Sequence, residues 1–227
     1  MHGCYNRGMG NGRWRLAGQF LTVFVTDAVI YYAGGQMALL RRPVGAIYLA
    51  LWTAWMVATV LGRKRGVPSP HEEKVWARTL GGVVAFVVLL WVGPWEYSHL
   101  NGPLPRDGVL AWTGLTVLLI GIVVQSLAMR ALHGYFTVGL GAQPGHVLVN
   151  SGRYRLVRHP AYLSYILSLA GCGLALGSVA VTALIPLTLL YLVWRMPREE
   201  RGLTEEFGDA YTQYRARTRW RLLPGVY

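Results

Sequence analysis

Four long stretches of the sequence contain no Asp, Glu, Lys or Arg, and they limit what the chain can fold into. These stretches are residues 43–62, 79–95, 108–129 and 159–194. A helix needs roughly 20 apolar residues to cross about 30 Å of hydrocarbon, and a soluble fold does not need several such runs in succession. Together with the apolar region at residues 16–40, the stretches predict an all-α integral membrane protein, a bundle of five to six transmembrane helices.

The last of these stretches, residues 159–194, is too long to cross a bilayer once. As a single helix it would extend about 54 Å at 1.5 Å per residue, so it is expected to fold back as two segments, 159–176 and 178–195, that form a helical hairpin. The residues expected to supply the turn are Gly171, Gly173, Gly177 and Ser178. Pro197 is expected to end the second segment and to start a new helix, because proline biases the residue before it away from the α conformation.

The basic residues are unevenly distributed between the predicted loops. The chain contains 22 Lys and Arg against 10 Asp and Glu, a net charge of +12, and most of the basic residues fall on one side. Because cytoplasmic loops are enriched in Lys and Arg, the pattern predicts that both termini are cytoplasmic and that residues 96–107 form an outside turn. Nucleic acid is not needed to explain the charge, since no aromatic-basic platform or recognised nucleic-acid-binding module accompanies it.

Cysteine content and length restrict the organisation further. The two cysteines are Cys4, in a polar tail, and Cys172, inside a predicted membrane segment, which argues against a disulfide framework or a cysteine metal site. Cys172 is expected to be a free buried thiol. The chain is expected to form one compact unit, with N-terminal transmembrane helices at residues 1–130 and a core with the hairpin and a cytoplasmic C-terminal arm at residues 131–227.

The hairpin brings two charged regions to the same face of the membrane. Its first segment begins at Arg158-His159-Pro160 and its second ends at Arg195. The residues expected to meet there are Arg153, Arg155, Arg158 and His159 from one region and Arg195, Arg198, Glu199 and Glu200 from the other. Adjacent acids within an arginine-rich patch favour a ligand that presents both cationic and anionic groups.

A string of short motifs runs through the C-terminal third of the chain. It comprises His146-Val-Leu-Val149, Ser151-Gly152-x-Tyr154, Arg158-His159-Pro160-x-Tyr162, Glu199-Glu200-x-x-Leu203, Phe207-Gly208, Tyr211, Tyr214 and Leu223-Pro224. In this order and spacing, with a membrane hairpin inside it, the string resembles the isoprenylcysteine carboxyl methyltransferase family. The same core recurs in phospholipid N-methyltransferases and in bacterial relatives that act on small thiols.

The resemblance implies S-adenosylmethionine-dependent methyl transfer, without a metal, in a cytoplasmic pocket that opens toward the lipid. Carried over by position, the residues that would contact the cofactor are His146, Val147, Leu148, Val149, Tyr154, His159, Pro160, Ala161, Tyr162, Glu199 and Glu200. Glu199 would bind the ammonium end of the cofactor, and Arg195 matches the catalytic arginine that the family places beside the acceptor. Ser164 stands where the family usually has glycine.

The resemblance leaves the acceptor open. The family implies a lipophilic or membrane-partitioned acceptor with an isoprenylcysteine-like carboxylate, whereas its relatives methylate a phospholipid amine or a small thiol. A non-enzymatic membrane transporter or assembly factor is the alternative of another class, with Asp27 as an ion site and Pro186 as the break in a helix. The sequence predicts no oligomeric state.

Overall fold

Helices make up most of the part of the chain that the computed structural model describes, which is residues 37–62, 92–100, 106–131 and 148–227. The elements in this part are α1 (Met37–Leu40), α2 (Pro43–Gly62), α3 (Gly93–His99), α4 (Val109–Ala131), a 3-10 turn (Gly152–Arg155), α5 (Pro160–Leu176), α6 (Val179–Phe207) and α7 (Asp209–Arg217). The predicted helical character is confirmed, and α2, α4 and α5 follow the predicted segments to within two residues. Most of the predicted segments 16–40 and 79–95 lies outside the described residues.

Among the described residues, two helices, α4 and α6, are long and apolar enough to cross a membrane, and the first part of α2 and the whole of α5 are shorter apolar helices. Large apolar side chains on α6 are exposed, among them Leu187 at 63% and Leu190 at 70%. Such a continuous apolar surface is typical of a face that contacts lipid or a partner. The apolar part of α6 ends at Trp194, and its charged part, residues 195–207, extends beyond it. These features support membrane insertion, while the number of crossings and their orientation stay predictions.

Helices α4 and α5 pack with their backbones in close contact, because glycines line the interface. A Cβ added at Gly114 would lie 2.2 Å from the backbone nitrogen of Ala175, and one at Gly171 would lie 2.4 Å from that of Leu118. Small residues at such positions let membrane helices approach closely. Gly171 is therefore a packing residue inside α5, and the prediction that it belongs to the hairpin turn is wrong.

The turn between α5 and α6 consists of Gly177 and Ser178. Gly177 ends α5 in the left-handed conformation at φ 60°, which glycine adopts without a steric penalty. Ser178 Oγ caps α6 by accepting a hydrogen bond from the backbone N–H of Val181 at 3.1 Å. Gly173 was also predicted for the turn, but it lies within α5, where a Cβ would be 2.4 Å from Thr182 Oγ1. The short turn makes α5 and α6 antiparallel neighbours.

The carboxylate of Glu96 on α3 closes the N-terminal end of α6. Glu96 is 7% exposed and accepts hydrogen bonds from the backbone N–H groups of Val179 at 3.0 Å and Ala180 at 3.1 Å, and from the Ser178 hydroxyl. An acid at a helix N-terminus pairs with N–H groups that have no partner within the helix and interacts favourably with the helix dipole. The sequence placed Glu96 in an outside turn, whereas α3 continues to His99 and buries it.

Helix α6 continues without a break through Pro197, so the prediction that this proline starts a new helix is wrong. A proline in a helix interior removes one backbone hydrogen bond and destabilises the helix by about 3 kcal/mol. Leu192, Met196 and Glu200 are spaced at four-residue intervals and are all buried. Only a continuous helix keeps all three on one face, and their packing offsets the cost of the proline. Arg195 therefore belongs to the same helix as the acidic pair that follows it.

Candidate active site

The segment before α5 is hydrogen-bonded to residues 218–227, which follow α7 and are here called the C-terminal arm. The backbone N–H of Arg158 donates to the carbonyl of Trp220, and that of His159 donates to the carbonyl of Arg221, each at 2.9 Å. Pro160 then begins α5, at a position where its missing N–H leaves no helical hydrogen bond unmade. The pairing holds the side chains of Arg158 and His159 beside the arm and within reach of α6.

The buried carboxylate of Glu200 joins these segments to α6. Arg158 Nε donates to Glu200 Oε1 at 2.8 Å, and His159 Nε2 lies 3.3 Å from the same oxygen. Arg221 Nη2 donates to Oε2 at 3.2 Å. Arg158 also donates through Nη1 to the carbonyl of Thr218 at 3.0 Å. Arg158, His159, Glu200 and Arg221, named here the Glu200 cluster, connect the start of α5, the charged part of α6 and the C-terminal arm.

The Glu200 cluster keeps its carboxylate ionised. Burial by itself raises the pKa of Glu200, but the hydrogen bonds from His159 and Arg221 and the charge of Arg158 outweigh burial and lower the pKa from 4.5 to about 2. Only 3% of Glu200 is exposed, and a buried charge is tolerated when it is paired and hydrogen-bonded. The carboxylate is therefore held in its charged form by the residues that surround it.

Tyr162 on α5 connects Arg195 and Glu199 on α6. Arg195 Nε donates a hydrogen bond to Tyr162 Oη at 2.7 Å, and the Tyr162 hydroxyl donates to Glu199 Oε2. Arg195 is 7% exposed, although it follows the exposed Trp194. Because α6 is continuous, Arg195 and Glu199 lie four residues apart on one face, and a single tyrosine reaches both. A guanidinium and a carboxylate are thus oriented by the same hydroxyl.

Two tyrosines interact with Glu199, Tyr162 through its hydroxyl and Tyr154 through its electrostatics. The ring of Tyr162 stacks on His159, with 5.3 Å between centroids and 7° between planes. Burial, and after it the charge of Glu199, raises the pKa of the Tyr154 phenol well above its usual value. Tyr214 fixes this tyrosine by donating to its carbonyl at 2.8 Å. Aromatic faces beside a carboxylate are suited to a cationic ligand.

The structure brings together most of the charged residues that the hairpin was predicted to unite. Those that meet are Arg158, His159, Arg195, Glu199 and Glu200. Arg153 and Arg155 are exposed on the 3-10 turn, and Arg198 is exposed with its guanidinium 3.6 Å from the ring of Trp194. These three arginines do not join the buried cluster, so hairpin geometry predicted the meeting of the two regions but not which arginines turn inward.

The remaining residues predicted from the resemblance are only partly covered by the described part of the chain. Pro160 is buried and Ala161 half-buried in the first turn of α5, and Leu148 and Val149 are half-buried ahead of the 3-10 turn. His146 and Val147 lie outside the described residues. Ser164, at the family's glycine position, is 1% exposed and donates its hydroxyl to Gln125 of α4.

Sequence reasoning missed two residues that contact the predicted site. Arg195 Nη1 donates to Tyr191 Oη at 2.7 Å, and Arg221 from the C-terminal arm bonds Glu200. Tyr191 had a usable signal, because it precedes Arg195 by four residues and so lies on the same helix face. Arg221 had none, because its contact with α6 depends on how the arm folds back. In the part of the chain that the structure describes, no three His, Cys, Asp or Glu side chains are grouped to hold a metal ion.

Fold and site together define an apolar helical bundle with a buried charged site at one end of a helical hairpin. Residues 112–205 match the sequence model of the isoprenylcysteine carboxyl methyltransferase (ICMT) family, which confirms the resemblance predicted from the motifs. The fold is also similar to that of a solved structure of the eukaryotic intramembrane Ras methyltransferase ICMT. The TM-score is 0.56 with 18% sequence identity, over 92% of this chain and 75% of the other.

Curated relatives resemble the same region. The chain is 34% identical over 106 residues to the protein-S-isoprenylcysteine O-methyltransferase of Schizosaccharomyces pombe, which covers 45% of each chain. It is 31% identical over 108 residues to a probable protein-S-isoprenylcysteine O-methyltransferase of Oryza sativa subsp. indica, covering 46% of this chain and 56% of the relative. The chain therefore spans about half the length of the curated relatives that it matches.

Proposed function

We propose that this chain is an integral membrane methyltransferase that uses S-adenosylmethionine to methylate a lipophilic acceptor carrying an isoprenylcysteine-like carboxylate. The observation that carries the proposal is the hydrogen-bonded series from Arg195 through Tyr162 to Glu199, which lies inside the family-matched residues 112–205. On one face of α6, Arg195 is then the candidate group that binds an anionic acceptor, and Glu199 is the candidate group that binds a cationic cofactor. The names of the curated relatives support this reaction class.

The cofactor half of the proposed site is centred on Glu199. S-adenosylmethionine supplies an activated methyl group when bound, and it carries an ammonium group that a carboxylate can pair with. We expect the ring of Tyr154 to offer a π face to this ammonium group, and the Tyr162 hydroxyl holds the Glu199 carboxylate in place. The other proposed cofactor contacts are His146, Val147, Leu148, Val149, His159, Pro160 and Ala161.

Glu200 is also a predicted cofactor contact, and its hydrogen bonds indicate a structural role as well. Its two carboxylate oxygens accept from Arg158 and Arg221 and lie beside His159. We propose that Glu200 holds the C-terminal arm against the hairpin, which fixes the position of Glu199 next to it. In this arrangement Glu199 binds the cofactor, and Glu200 keeps the surrounding segments together.

The acceptor half of the proposed site is centred on Arg195, which we propose as the catalytic residue. A guanidinium orients a carboxylate through two parallel hydrogen bonds. A carboxylate acceptor is already ionised at neutral pH, so the protein needs no general base to remove a proton from it. The contribution of these residues is then to align the acceptor oxygen with the methyl group and to exclude water.

We further propose that both termini and the site lie on the cytoplasmic face. The support is the excess of Lys and Arg in the loops that would share that face. In this organisation residues 131–227 form the methyltransferase core and residues 1–130 the N-terminal transmembrane helices of one compact unit. The acceptor would reach the site from the bilayer.

Binding of S-adenosylmethionine to the detergent-purified protein tests the cofactor assignment. We expect saturable binding that is lost or strongly weakened in Glu199→Ala. Glu205→Ala is the matched control, because Glu205 is exposed on the same helix, and it should bind as the wild type does. Absence of saturable binding to the wild type would refute the enzyme assignment and favour a transporter or assembly factor.

An acceptor screen with methyl-labelled cofactor tests the substrate class. The panel contains S-farnesylcysteine, phosphatidylethanolamine and an alkyl thiol, and we expect label on the first. Arg195→Ala should reduce turnover far more than it reduces cofactor affinity, whereas Arg198→Ala, which removes an exposed arginine from the same helix, should change neither. Equal losses of turnover and cofactor affinity in Arg195→Ala would remove its proposed acceptor role. Label on the amine or the thiol alone would replace the carboxylate class.

A further inference from the structure

The guanidinium of Arg195 is held by two tyrosine hydroxyls from different helices. Nε donates to Tyr162 Oη and Nη1 donates to Tyr191 Oη, each at 2.7 Å. The central guanidinium carbon lies 5.9 Å from the ring centroid of Tyr162 and 5.8 Å from that of Tyr191. Contacts at two different nitrogens fix both the position and the plane of a guanidinium, which a single hydrogen bond does not do.

The two tyrosines differ in what else they contact. The Tyr162 hydroxyl also donates to Glu199 and so belongs to both halves of the proposed site. Tyr191, four residues before Arg195 on α6, is 44% exposed, and its ring stacks on that of Trp194 with 6.0 Å between centroids. Leu187 and Leu190 are exposed next to it on α6. Tyr191 therefore stands where the apolar outer face of the helix meets the buried guanidinium.

Tyrosine hydroxyls suit this position chemically. A hydroxyl is a neutral acceptor, so these two contacts orient the guanidinium without cancelling its positive charge. A carboxylate in the same places would have formed an ion pair and competed with an anionic acceptor. The ring of Tyr191 is amphipathic, with an apolar body and a polar tip, which matches an acceptor that has an anionic group on a lipophilic chain.

We infer that Tyr191 is a positioning residue for the acceptor, which acts by aiming Arg195 from the lipid-facing side of the site. The inference rests on the proposed function and adds to it a residue that distinguishes acceptor binding from cofactor binding. Tyr162 serves both halves of the site, because it contacts Arg195 and Glu199. Tyr191 serves the acceptor half, through Arg195. The acceptor class that this geometry fits is an anionic headgroup joined to an apolar chain.

Three tyrosine-to-phenylalanine variants test the inference, because each removes one hydroxyl and keeps the ring. They are Tyr191→Phe, Tyr162→Phe and Tyr97→Phe. Tyr97 is the matched control: its hydroxyl is buried without a hydrogen-bond partner in the described part of the chain, on α3 at the other end of the hairpin. For each variant the Kd for S-adenosylmethionine and the kcat and KM for the acceptor methylated by the wild type are measured, with the melting temperature as a check on folding.

Tyr191→Phe is expected to lower kcat/KM for the acceptor about tenfold, the usual effect of losing one hydrogen bond to a charged group, with cofactor Kd changed less than twofold. Tyr162→Phe should weaken cofactor binding and acceptor turnover together, and Tyr97→Phe should resemble the wild type. Unchanged acceptor kinetics in Tyr191→Phe, or an equal loss of cofactor affinity, overturns the inference and leaves the proposed function standing. A wild type that binds no S-adenosylmethionine, or methylates no acceptor in the panel, overturns both.

Discussion

Replacing Glu200 with glutamine removes the negative charge from a site built by Arg158, His159 and Arg221, and it tests whether this cluster holds the fold together. The pKa of Glu200 is lowered from 4.5 to about 2. Each pKa unit corresponds to about 1.4 kcal/mol of interaction with the ionised form, so the surrounding groups stabilise the charged carboxylate by roughly 3 kcal/mol. Removing one partner of a buried ion pair costs about 3–5 kcal/mol, which is consistent with that figure. For a chain of this size the loss corresponds to about 6–12 °C in melting temperature.

The assay compares thermal unfolding of Glu200→Gln, Glu199→Gln and Glu205→Gln in the same detergent at pH 7. Glu200→Gln should melt about 10 °C below the wild type by the same conversion, whereas Glu205→Gln, an exposed site, should melt with it. Glu199→Gln should keep its melting temperature and lose affinity for S-adenosylmethionine. The reasoning fails if Glu200→Gln melts within about 2 °C of the wild type, a shift below 1 kcal/mol, or if the two neighbouring glutamates have the same effect on stability.

Three further outcomes are expected. Because the folded-state pKa of Glu200 is below 4.5, the ionised carboxylate contributes fully to folding stability above that pH, and this contribution declines as the pH falls toward 2. The difference in melting temperature between the wild type and Glu200→Gln should therefore shrink over this range. A constant difference would contradict the assignment. Gly171→Ala should lower the melting temperature, because the added Cβ would meet the backbone of α4. Gly202→Ala should raise it slightly, because a Cβ there has no atom within 4 Å and alanine favours a helix more than glycine does. Equal effects of the two substitutions would show that the contact between α4 and α5 is not tight. Glu96→Gln should destabilise the fold by about 1–3 kcal/mol, since it weakens three hydrogen bonds at the start of α6, and it should leave the Kd for S-adenosylmethionine unchanged. A change in this Kd without a loss of stability would contradict the structural role of Glu96.

Helix positions were predictable because charge alone limits where apolar helices begin and end. Segments 43–62, 108–129 and 159–176 follow directly from runs without charged residues, and they match α2, α4 and α5. The contacts that residues make inside the helices were harder to predict. Gly171 was assigned to a turn because glycine is common there, and its contact with Leu118 depends on a helix distant in sequence. Glu96 was likewise placed in an outside turn, because its hydrogen bonds to the start of α6 are made across more than 80 residues.

The sequence predicted which segments meet at the site, but not which hydrogen bonds they form there. The hairpin required the start of α5 to lie near the end of the apolar part of α6, and His159 does lie beside Glu200. The continuation of α6 through Pro197 was not predictable from the sequence, because proline by itself disfavours a helix. The buried packing of Met196 that outweighs this preference is visible only in three dimensions. Tyr191 was overlooked among the many aromatic residues that membrane proteins place near interfaces.

The Glu200 cluster also bears on how the protein is made. Arg158 and His159 are synthesised well before Glu200, and Arg221 comes 21 residues after it. Until translation has passed that arginine, Glu200 has only its two earlier partners. A nascent chain would therefore make the contacts from Arg158 and His159 first and the contact from Arg221 last, and products that terminate within α7 would lack the contact that joins the C-terminal arm to α6.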